Sequence, residues 1–160
     1  MSDLPVVKHP NDILRQMSAA IPEKELNSPE IQTLIDNMID TMKDENGVGL
    51  AAPQVGTHLR IIIAETKQGP EAFINPKIIA RSDAMVDSQE GCLSIPGVFG
   101  IVKRHNSVKV KAKNRHGEPI RLKTDGLLSV IFQHEIDHLD GILFIDKAEK
   151  IIEGEAENAI

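Results

Sequence analysis

The chain contains no tryptophan, no tyrosine and only four phenylalanines in 160 residues. A core short of aromatic rings must be filled by Ile, Leu, Val and Met. The same shortage removes the platforms on which unpaired bases stack, and a net charge of −6 further disfavours direct contact with nucleic acid. Cys92 is the single cysteine, so no disulfide can form within the chain; an unpaired thiol suits a reducing compartment, which points to the cytoplasm. No apolar run approaches membrane-spanning length, so no membrane is expected as a partner. The opening Met-Ser-Asp-Leu-Pro lacks the apolar centre of a signal peptide. What remains is ordinary for a globular protein: 41% apolar residues in a length that suits one domain over residues 1–160, expected to be a monomer.

The local patterns predict an α+β fold of mixed or antiparallel strands around a helix near the C-terminus. Asn11 is placed to cap a short helical segment through Ile13 and Leu14. Ser28 and Pro29 open a longer helix, in which Ile31, Leu34, Ile35, Met38, Ile39 and Met42 form a buried stripe. Asn46-Gly47 ends it. Residues 59–65 read as a buried strand through Ile61-Ile62-Ile63, and residues 72–80 as a strand that Asn75-Pro76 bends or confines to an edge. Residues 108–113 and 119–123 alternate around Asn114-Arg115-His116-Gly117, a hairpin signal. The basic stretch Lys103, Arg104, Lys109, Lys111, Lys113 and Arg115 interleaves with Val108, Val110 and Ala112 and reads as the solvated face of a strand. Thr124 or Asp125 caps the last main helix, where Leu127, Ile131, His134 and His138 share one face. Residues 149–160 are acidic and weakly patterned, and read as a frayed helix or a disordered tail.

The chemistry concentrates on that last helix. In Gln133-His134-Glu135-Ile136-Asp137-His138 the two imidazoles lie four residues apart, on one helical face, and suit one metal ion. Glu135 stands beside them, close enough to handle a proton from a water on that ion. A third ligand is needed. Phe144 occupies the position where one protease pattern requires a third His, and Glu153, Glu155 and Glu157 lie near the spacing another would use, with the chain ending at Ile160. Cys92, in Glu90-Gly91-Cys92-Leu93-Ser94, is the stronger candidate, since a thiolate binds borderline-soft divalent metals well. Its alternative is a buried structural cysteine. Residues 47–54, Gly-Val-Gly-Leu-Ala-Ala-Pro-Gln, form a small-residue loop that lets another backbone come close.

Residues 47–54, 90–94 and 133–138 together resemble, in this order, the motifs of the peptide deformylase family, and residues 9–15 are similar to its N-terminal segment. The resemblance runs from about residue 5 to residue 147. It implies that Cys92, His134 and His138 hold the metal with water in the fourth position, and that Glu135 is the general base and acid. It assigns the Gln54 side-chain amide and the Leu93 backbone N–H to the oxyanion. The implied substrate is the formyl group of N-formylmethionyl nascent peptides, released as formate. Gly47, Gly49 and Gly91 would leave room for the peptide to lie alongside as an added strand. Val48, Leu93, Val130 and His134 would border the methionine pocket, Glu90 would orient a neighbour, and Arg104 would stand near the substrate path. The metal implied is ferrous iron, with zinc, nickel and cobalt able to substitute. Some members approach the ribosome through a basic C-terminal helix; the acidic tail here departs from that.

Two other readings use the same residues. A zinc peptidase would employ the helical pair but leave Cys92 and Gln54 without a role. A closed structural metal module would need a fourth ligand such as His105 or His116.

Overall fold

The computed structural model describes residues 4–153 and residue 160. Its first long element follows from the pattern at residues 28–42. Ser28 accepts a hydrogen bond from the Ile31 amide through its side chain, and helix α1 runs Pro29–Asp44 with Ile31, Ile35, Met38 and Met42 buried. Asn46 then takes positive φ (57°) and lets the chain turn into strand β1, Gly49–Ala51.

Strand β2, Ile61–Thr66, explains why three isoleucines stand in a row. Ile61 and Ile63 point to α1, whereas Ile62 and Ala64 point to the opposite side, where helix α2, Gly126–Leu139, packs. A strand covered on both faces has no polar alternation to keep. Strand β3, Gly69–Arg81, pairs with β2 and, on its far side, with β6, Ser107–Lys113, so it is not an edge strand. The ladder breaks register between Ile74 and Lys77, and this bulge accommodates Pro76. Asn75, at φ 52°, clasps Ile21 from both sides: the Ile21 amide donates to Oδ1 and Nδ2 donates to the Ile21 carbonyl, each at 2.9 Å. Strand β7, Pro119–Asp125, completes the predicted hairpin. These strands form one antiparallel sheet, β1-β2-β3-β6-β7.

A second antiparallel sheet contains β4, Met85–Cys92, β5, Ile95–His105, and β8, Ala148–Glu153, in the order β4-β5-β8. Strand β8 corrects the expectation of a frayed or disordered tail. The exposed pattern of residues 148–153 carries little strand signal of its own, but the edge of β5 supplies the backbone partners. The expectation for residues 154–159 lies outside the described residues. A short helix α3, Phe144–Lys147, precedes β8. Leu127 also departs from expectation: it is 61% exposed, and the buried part of α2 begins only at Ser129. Asp125 holds the cap position of α2 without a capping side-chain bond.

All four phenylalanines are buried, and the edge-on pair Phe73–Phe132 (4.8 Å between centroids) joins β3 to α2. Among the described residues, no helix is long and apolar enough to cross a membrane. Phe132→Ala should destabilise the protein by about 3–5 kcal/mol, read as a lower urea midpoint. A loss below about 1 kcal/mol would mean that α2 is not anchored through this ring.

Candidate metal centre

Helix α2 is buried from Ser129 to Ile136, and His134 and His138 lie one turn apart on the side that meets β4. Cys92 ends β4, next to a break in the β4–β5 register. One ligand atom from each of Cys92, His134 and His138 lies within 4.8 Å of the others. The Cys92 Sγ stands 3.4 Å from His138 Nε2. His134 Nδ1 is committed to Glu90 Oε1 at 2.8 Å, which leaves Nε2 as a buried nitrogen with no hydrogen-bond partner. A thiol, a lone imidazole nitrogen and a second imidazole converging in a buried space fit a single divalent metal. Burial, with repulsion from His134 and Arg104, holds the His138 pKa well below its ordinary value, so this ring is in the neutral form a metal requires.

Glu90 fixes the tautomer of His134 and is itself fixed by Arg104. The guanidinium makes two hydrogen bonds to the Glu90 carboxylate, each 2.8 Å, and a third of 2.8 Å to Asp137 on α2. Burial opposes charge on Glu90, but the hydrogen bonds from Arg104 and His134 outweigh it and hold the carboxyl at about 2. Burial likewise opposes charge on Arg104, and Glu90 and Asp137 more than restore it. The expectation that Arg104 stands near a substrate path is corrected here. It is 2% exposed and packed behind the histidine, where it spans two strands and a helix.

Glu135 is fully buried, and neither carboxylate oxygen has a hydrogen-bond partner. Burial pushes its carboxyl from 4.5 up to about 7; His134 pulls it down and Glu90 pushes it up. Gly49 explains how the carboxylate fits. A Cβ there would meet Glu135 Oε2 at 2.5 Å, so the missing side chain makes room for Glu135 rather than for a ligand backbone. Gly47 plays a related part, since its Cβ would meet Leu93 Cδ1 at 2.9 Å.

Gln54 is also fully buried. The Ala51 amide donates to its Oε1 at 2.9 Å, which turns the side-chain amide nitrogen toward Cys92 Sγ (3.4 Å) and Ser94 Oγ (3.1 Å). Leu93 follows Cys92 and has its carbonyl held by Lys8 Nζ at 2.9 Å. The Val7 and His9 amides donate to the Gln54 and Ser94 carbonyls, so the N-terminal segment straps both motif loops. The Gly91 carbonyl accepts from the Ile160 amide at 3.3 Å. Val48 and Val130 belong to the same apolar cluster as Ile160. His105 bonds through its ring to the Ser82 carbonyl and His116 lies in the exposed β6–β7 turn, so neither joins the centre. Glu153 ends β8, while Glu155 and Glu157 lie outside the described residues.

Sequence reasoning missed Asp137, Ser94 and Lys8. Asp137 carried one usable signal: it lies inside the metal motif, yet it adjoins His138 in sequence and so points to a different side of the helix.

A buried cluster of one cysteine and two histidines, with an unpaired carboxylate beside it, defines a mononuclear metallohydrolase type of site. Comparison with known proteins narrows the class. The family model for polypeptide deformylase matches residues 3–153, and the chain belongs to that family. It is 52% identical over 145 residues to the peptide deformylase of Desulfitobacterium hafniense, covering 91% of this chain and 94% of the relative. It is 46% identical over 149 residues to peptide deformylase 2 of Xanthomonas campestris, covering 91% and 87%. The actinonin-bound class I type b peptide deformylase of Acinetobacter baumannii superposes with a TM-score of 0.89 at 41% identity, over 93% of this chain and 100% of that one. A Met-Ala-Ser-bound structure of the same enzyme gives 0.86 at 39% identity, over 91% and 98%.

The Glu135 environment sets a pH dependence in metal-stripped protein. The folded pKa exceeds the unfolded one, so the folded chain binds this proton more tightly. That stability is present below the unfolded value of about 4.5 and is lost as pH rises through about 7, on the order of 3 kcal/mol in all. Glu135→Gln lacks the loss. The Tm advantage of the metal-stripped variant should widen from about pH 5 to about pH 8; a constant difference would show that Glu135 does not titrate in this window.

Proposed function

We propose that the chain hydrolyses the formamide of N-formylmethionyl peptides, and that the carrying observation is the buried, unpartnered carboxylate of Glu135 beside the Cys92, His134 and His138 cluster. Cys92, His134 and His138 would hold a divalent metal, which would supply Lewis acidity and make the attacking water more acidic. Glu135 accepts the proton of the attacking water. The water oxygen bonds to the formyl carbon, the C–N bond breaks, and Glu135 returns the proton to the departing amine, releasing formate and a free N-terminus. A carboxyl tuned to about 7 is matched to both transfers.

The formyl oxygen gains negative charge as its carbon becomes tetrahedral. The Gln54 side-chain amide, already aimed by the Ala51 N–H, donates to it, and the Leu93 backbone N–H is the second donor. The peptide lies along the Gly91 edge as an added strand. That this carbonyl accepts an amide from Ile160 supports the role, since it pairs with backbone from another segment. Val48, Leu93 and Val130 border the methionine side chain. Gly49 acts through Glu135, and Arg104 through Glu90 and His134, as positioning residues. The relative solved with Met-Ala-Ser, a peptide with methionine first, is consistent with this product class. The resident metal of this reading is ferrous iron, with nickel, cobalt or zinc able to replace it; the chain works as a cytoplasmic monomer on nascent peptides.

The test is formate release from a short N-formylmethionyl peptide by protein purified without oxygen, with metal analysis. Iron should be found, and activity should fall in air while a nickel-loaded sample keeps it. Glu135→Ala should retain metal and lose turnover by about 100-fold or more. No formate from metal-loaded protein, or cleavage of unformylated peptides instead, would overturn the assignment.

A further inference from the structure

Helix α1 covers the five-stranded sheet only over β1, β2 and the first half of β3. Past that helix the same face presents Lys77 from β3, Lys109 and Lys111 from β6, and Arg121 and Lys123 from β7, all exposed. The register sets like charges opposite each other. Lys111 stands between Lys77 and Arg121, and Lys109 faces Lys123. Cross-strand cations destabilise a sheet. Among the described residues none of these five takes part in an ion pair. Acids flank the ends of these strands: Glu23 lies 3.8 Å from Lys113, Glu118 is bonded to Asn114, and Asp125 closes β7. Lys77 and Lys111 rim a hollow of about 450 Å³, and Lys109 and Lys123 rim another of about 300 Å³ that Arg81 also lines.

A chain of net charge −6 thus concentrates unneutralised cations on one sheet face, against the stability of that sheet. Read strand by strand the lysines look like a solvated face; only the β3–β6–β7 register turns them into a two-dimensional patch. We propose that this face binds the phosphate backbone of a folded RNA. Repeated cations, about 4.8 Å apart across strands and about 6.6 Å apart along them, suit repeated phosphates. The absence of any exposed phenylalanine removes base stacking, so binding is independent of sequence. Ile79, 37% exposed, is the one large apolar side chain exposed along this part of β3, too little to anchor a lipid surface.

The test uses full-length, metal-loaded protein and an RNA hairpin of arbitrary sequence. The wild type should bind at low salt, with affinity falling on a log–log salt plot at a slope of roughly −3 to −4. Lys111→Glu places an acid between Lys77 and Arg121. It should weaken RNA binding at least about tenfold, raise Tm by about two degrees and leave deformylation of a short peptide unchanged. A second variant, Lys109→Gln with Lys123→Gln, should reduce the salt slope by about two. No binding at low salt, equal binding by wild type and both variants, or binding only to phosphatidylserine vesicles or an acidic peptide would overturn the proposal.

Discussion

The centre depends on one chain of charge that runs inward from a half-buried end: Asp137 to Arg104 to Glu90 to His134. Burying three of these ionisable groups is costly, and removing any one of the three strands the others in a low-dielectric interior. The guanidinium is the member that no other side chain can replace. Its fork grips Glu90 with two nitrogens and α2 with a third, so it sets both the carboxylate that orients His134 and the height of the helix that carries it. Glu135 is then left alone among charges it does not touch, and its burial there raises its pKa.

Two packing constraints hold this arrangement against the sheet. Strand β2 is wedged between α1 and α2, so the helix bearing the ligands cannot shift without opening a core on both sides. Gly49, on the strand beside β2, leaves only enough space for the Glu135 carboxylate. The metal-facing edge of α2 and the loop containing Gln54 are therefore fitted to each other, as a ligand residue to its support.

Much of this was legible because it follows from short spacings. Ser28-Pro29 marks a helix start, residues 108–123 mark a hairpin, and two histidines four apart on a helix face one point. Cys92 and Gln54 could be assigned through the ordered motifs that contain them. What escaped reading depends on register. Arg104 is fourteen residues from Glu90, and only the β4–β5 hairpin makes them neighbours. Arg104 sits in a basic stretch whose other members are mostly exposed, so its burial has no local signature. Strand β8 takes its form from the edge of β5 rather than from its own residues, and Leu127 is apolar but lies in the exposed first turn of α2, ahead of the buried stretch that begins at Ser129.

The three segments that meet at the centre are far apart along the chain: Gln54 and Cys92 are 38 residues apart, and Cys92 and His138 are 46 apart. Local structure cannot bring them together, so the pocket closes only after both sheets and α2 have docked. Until then the thiol of Cys92 is uncovered. Having no second cysteine, the chain has no internal partner with which that thiol could be trapped in a wrong disulfide. The single cysteine thus protects the order of assembly: the one thiol that must wait for its neighbours has no competing disulfide to make within its own chain.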